Sequence, residues 1–176
     1  MQTQSPRAAG TTAQVAPDPL EEIDQLMQKR LEDEQRSADR SAEITKERSQ
    51  FSEEFSKVCD AHVRPVMEAI LERLRRSGGG GVIEERPEDL ARMQDHRFIL
   101  WMSLEGEIVG TPRLDRHPYL QLDADVAKRA VTVSEGDMWA GHGGNRSGPV
   151  TEWQLSEIDT TKVTEEILAI LRRSFQ

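Results

Sequence analysis

Between Leu20 and Ser77 the apolar residues recur at helical spacing, and no alternating run interrupts them. Leu20, Ile23, Met27 and Leu31 make a stripe. The following "EDEQRSADRSAEITKERSQ" adds only Ala38, Ala42 and Ile44, and the stripe resumes at Phe51, Phe55, Val58 and Cys59. Four acid-to-base pairs at i,i+4 (Glu32/Arg36, Glu53/Lys57, Asp60/Arg64, Glu72/Arg76) each add about 0.2–0.5 kcal/mol to a helix. The pattern predicts a helical arm over 20–77. A helix this polar cannot be held by core burial along its whole length, so it is expected to pair with another helix, most simply its own copy in a coiled coil, or to fray in the middle. Pro65 lacks a backbone donor and its ring meets the carbonyl four residues back, which predicts a kink near Ala61 to Pro65. Beyond the kink, Val66, Ile70 and Leu74 are expected to continue the face set by Cys59 and Val63. Arg73, Arg75 and Arg76 suit the negative end of the helix dipole, and "SGGGG" supplies the stop.

After Gly81 the period changes from helical to alternating. "GVIEER" is a short strand candidate. "HRFILWMSLEG" is a longer one, with Phe98, Leu100, Met102 and Leu104 on one face and Ile99 and Trp101 on the other. "PYLQLDAD" and "RAVTVSEG" follow, and "PVTEWQL" is a fifth, in which the offset of Val150 from Trp153 suggests a bulge. Short strands with short links imply an antiparallel meander. The last helix carries its own signals: Asp159 as cap, Ile158 and Val163 as a hydrophobic staple, and Arg172 and Arg173 at the end. Its expected buried stripe is Val163, Ile167, Ile170 and Leu171, extended by Phe175. The predicted class is α+β: a disordered tail over 1–19, the arm over 20–77, and a head over 78–176 with a sheet of about five strands and a C-terminal helix packed on it.

Composition narrows the possible functions. Of the 176 residues, 36% are apolar and 31% charged, which fits a modest core with an extended, solvated part. The net charge of −9 is spread along the chain, so the basic footprint of a nucleic-acid binder is missing and that class is disfavoured. One cysteine, Cys59, excludes an internal disulfide. No stretch approaches a membrane span, and the expectation is a soluble cytoplasmic protein.

The densest candidate chemistry is "EGDMWAGHGGNRSGPV", Glu135 to Val150. It leads into Pro149 and a strand rather than a lysine and a helix, so it lacks the context of a phosphate cradle. If the chain is an enzyme, a small hydrolase or transferase, His142 is the candidate base, with Asp137 to orient it and Arg146 to steady an anion. The favoured reading is a plain connection of about 13 residues whose glycines supply positive φ. Trp139 is the residue there best suited to grip a partner. Arg113, Arg116 and His117 of "GTPRLDRHPY" are further candidates for an acidic partner, with Arg92, Arg97, Lys128 and Arg129 as possible neighbours. The histidines show no zinc spacing, and Cys59 with His62 reads as packing; no metal or cofactor is expected. The sequence reading is a non-enzymatic interaction protein, a homodimer through the arm that presents two heads to a protein partner. A small acidic chaperone or immunity-type binder is a variant of it.

Overall fold

The computed structural model describes residues 19–92, 94–137 and 147–174. The expected tail, most of the glycine-rich loop and Phe175 lie outside the described residues. The chain forms two compact units, Met1–Glu43 and Ile44–Gln176. Helix α1 runs Pro19–Val58, a π-helical segment follows at Cys59–Val63, and α2 covers Arg64–Arg76. Five strands come next: β1 (Gly80–Arg86), β2 (Arg97–Ser103), β3 (Tyr119–Asp125), β4 (Ala130–Gly136) and β5 (Ser147–Trp153); α3 (Thr160–Ser174) closes the chain. The architecture is the expected α+β.

Phe51, Phe55, Cys59, Val63, Met67 and Leu71, spaced by four, are all buried in one core cluster with the sheet. Each step of four overshoots a straight α-helix by about 40°, so such a series would drift off the sheet. The π segment corrects this. The Arg64 N–H bonds the Cys59 carbonyl, a five-residue step that takes up an extra residue immediately before Pro65, which has no N–H to give. The expected irregularity at the proline is therefore a wider turn that keeps the face inward. It also moves the buried positions, so that Met67 and Leu71 enter the core while Val66, Ile70 and Leu74 are only half-buried against it. Gly78, at φ +87°, ends α2: its N–H and that of Gly79 return to the Arg75 and Leu74 carbonyls.

The strands pair antiparallel in chain order β1-β2-β3-β4-β5. Phe98, Leu100, Met102, Leu120, Leu122, Ala124, Val131 and Val133 alternate onto the core face and meet Ile158, Val163, Ile167 and Ile170 there. Gly81 lies opposite Met102, where a Cβ would strike the Trp101 carbonyl and the Leu71 side chain, so only glycine lets α2 close on β1. Val133 pairs with Thr151 and Ser134 with Pro149, leaving Val150 as the extra residue of a bulge on β5. On the other face Ile99, Trp101 and Tyr119 form a small second cluster with Ile108. Asp159 accepts a 2.7 Å hydrogen bond from the Lys162 N–H and caps α3. Among the described residues no helix is long and apolar enough to cross a membrane.

Candidate functional site

Trp139, His142 and Arg146 lie outside the described residues. Asp137 is described, and β4 explains its position. Val131 and Val133 face the core, so the next residues in step, Glu135 and Asp137, turn two carboxylates toward α3. Arg173 meets both, its Nε 3.0 Å from Asp137 Oδ2 and its terminal nitrogen 2.5 Å from Glu135 Oε2. The Asp137 side chain is 1% exposed. Among the described residues its Oδ1 has no hydrogen-bond partner, while Oδ2 is committed to Arg173. A guanidinium shared by two buried acids is a tie between strand and helix.

Glu166 stands two turns before Arg173 on the same side of α3 and also meets the Glu135 carboxylate. Burial, and after it the Glu135 carboxylate, push its carboxyl above the ordinary glutamate range. A raised folded-state value means the folded protein holds this proton more tightly than the unfolded chain. That contribution is complete below about pH 4.3, where unfolded glutamate titrates, and is lost as pH rises through the folded value. Glu166→Gln is therefore expected to melt above the wild type at pH 7. Thermal melts repeated down to pH 4 should show the advantage shrinking, and a pH-independent difference would contradict the assignment.

Arg113 and His117 come together: the Arg113 N–H donates to His117 Nδ1 at 2.9 Å, and the Arg113 guanidinium grips Asp115 at 2.7 Å. Arg116 is exposed in the same connection. Arg97 pairs with Asp123, Lys128 with Glu152 and Arg92 with Asp89, so these cations are matched by local acids. Cys59 is 1% exposed, and burial pushes its thiol far above the usual range, which keeps it protonated and unreactive.

One polar constellation was not legible in the sequence. Ser52 Oγ lies 3.3 Å from His96 Nδ1, His96 Nε2 lies 3.0 Å from Glu85 Oε1, and Arg64 bonds the other Glu85 oxygen at 2.6 Å. The order serine–histidine–carboxylate invites comparison with a nucleophile relay. Ser52 stands in the interior of α1 between Phe51 and Phe55, 8% exposed. The nearby amides are spent on the helix ladder, which leaves no donors for an oxyanion beside that hydroxyl. The network instead satisfies buried polar groups and fixes α1 on the β1–β2 end of the sheet. Arg48 extends it with bonds to Glu88 and Asp95, both 2.6 Å. Ser52 and His96 are 44 residues apart, which no local spacing reveals.

The least ordinary surface belongs to the first unit. Leu20, Ile23, Leu26, Met27 and Leu31 are each 55–69% exposed within twelve residues of α1. Scattered apolar side chains on a surface are normal, whereas these five follow one another along one side of a single helix. Leu26, not included in the stripe read from the sequence, widens it on the side of Ile23. Among the described residues no group of three or more His, Cys, Asp or Glu side chains is arranged to hold a metal ion. No family model, curated protein or solved structure matches the chain.

Proposed function

We propose that this chain is a non-enzymatic protein-interaction module that forms a homodimer through its N-terminal helix, each copy bringing one α+β unit to a protein partner. The observation that carries the reading is the exposed stripe from Leu20 to Leu31. Helices in proteins gain most of their stability from packing an apolar face, and an isolated one is marginal. Here the face exists and i,i+4 pairs such as Arg30–Glu34 and Lys57–Glu53 support the helix. Those exposed pairs are worth only about 0.3–0.5 kcal/mol each. The remaining stabilisation comes from covering the stripe.

Exchanging two central stripe residues for acids, Ile23→Glu with Met27→Glu, tests this. Sedimentation velocity is expected to show a dimer for the wild type and a monomer for the variant, with the α+β unit of the variant still folded by circular dichroism. A variant that sediments as the wild type does would remove the stripe from any role in assembly.

A further inference from the structure

The second unit carries an apolar groove between α2 and α3 with a volume of about 450 Å³, lined by Pro65, Val66, Ala69, Ile70, Thr164 and Leu168. It exists because of the π segment: with Met67 and Leu71 turned to the core, Val66 and Ile70 are left at the margin and face α3. Leu168 is 37% exposed at its far wall. Arg73 joins the lining, an exposed arginine with no ion pair among the described residues, and Arg172 lies one turn beyond Leu168 on the same face of α3.

We infer that this groove receives the Leu20–Leu31 stripe of a second copy of the chain, so that the dimer forms by reciprocal exchange of helices into grooves. The inference rests on the proposed homodimer and names its interface. Three observations favour this occupant. The stripe presents Ile23, Leu26 and Met27 at i, i+3 and i+4, the spacing of anchors that enter a helix-binding groove. Its length of twelve residues is less than two heptads, and Glu34, Ala38 and Ser41 follow on the same face. That is short of the roughly three to four heptads that sustain a coiled coil, so pairing of stripe with stripe would bury little. Charge agrees as well. Residues 19–43 hold eight acids against four bases, and Asp24 on one side of the stripe and Glu22 on the other border it, whereas the groove offers Arg73 and Arg172. Two such junctions, related by a two-fold axis, close the dimer without leaving a stripe or groove uncovered.

Mixing of two full-length variants tests the exchange. One is the stripe variant Ile23→Glu/Met27→Glu; the other is Ala69→Glu/Leu168→Glu, at two exposed groove positions whose replacement leaves the core untouched. Each variant alone is expected to be monomeric by light scattering, with wild-type far-UV circular dichroism. Their equimolar mixture is expected to form a heterodimer, because one intact stripe still meets one intact groove. Arg73→Glu alone should weaken the wild-type dimer several-fold. A groove variant that stays dimeric while the stripe variant is monomeric would overturn the exchange in favour of stripe-to-stripe pairing, with the proposed homodimer intact. A mixture that stays monomeric would overturn it too. A stripe variant that remains dimeric would remove both readings.

Discussion

Phe55→Ala is expected to destabilise the protein by about 3–5 kcal/mol, the cost of removing a phenyl ring from a site that cannot collapse around the void. Phe55 is 0% exposed and is the second of the six residues in the buried series from Phe51 to Leu71. Its ring also meets His96 edge-on, with centroids 5.2 Å apart, so truncation loosens the imidazole held between Ser52 and Glu85. A domain of this size is stable by only about 5–15 kcal/mol, and one substitution would take a large part of that. Urea denaturation followed by circular dichroism measures it as a lower midpoint with little change in slope. The same truncation at Met27, 55% exposed in the single chain, should lower that midpoint far less. Equal losses at both positions would mean that the two parts of α1 do not differ in role.

The second large effect is expected at Arg173. Arg173→Ala leaves Glu135, 12% exposed, and Asp137, 1% exposed, without their shared cation and beside Glu166. Breaking a buried pair by removing one partner costs about 3–5 kcal/mol; Arg173 is itself 31% exposed, which places the loss at about the lower end. Adding Glu135→Gln and Asp137→Asn in the same chain removes the uncompensated charge and should recover most of the loss. If the single variant unfolds with the wild type, the guanidinium is no tie between β4 and α3.

The five strands, the bulge at Val150 and the Asp159 cap were legible because each is written in local spacing or in one residue's chemistry. The face of α2 was misread, since a 3.6-residue period selects Val66, Ile70 and Leu74, while the chain follows steps of four through a π turn to Met67 and Leu71. A run of six apolar residues at constant spacing was the available signal. The role of Asp137 was also in reach. Two acids continuing the buried face of Val131 and Val133 call for an internal cation, and Arg173 stands in the last turn of α3. By contrast the Ser52–His96–Glu85 network and the groove join residues far apart in the chain, and only the folded arrangement brings them together.

Light scattering of the full chain at tens of micromolar tests the central claim most directly. The account predicts a mass of twice 19.9 kDa that falls toward the single value on dilution and in the Ile23→Glu/Met27→Glu variant. A mass of 19.9 kDa for the wild type at every concentration would contradict it, because the stripe from Leu20 to Leu31 would then remain uncovered by a second copy.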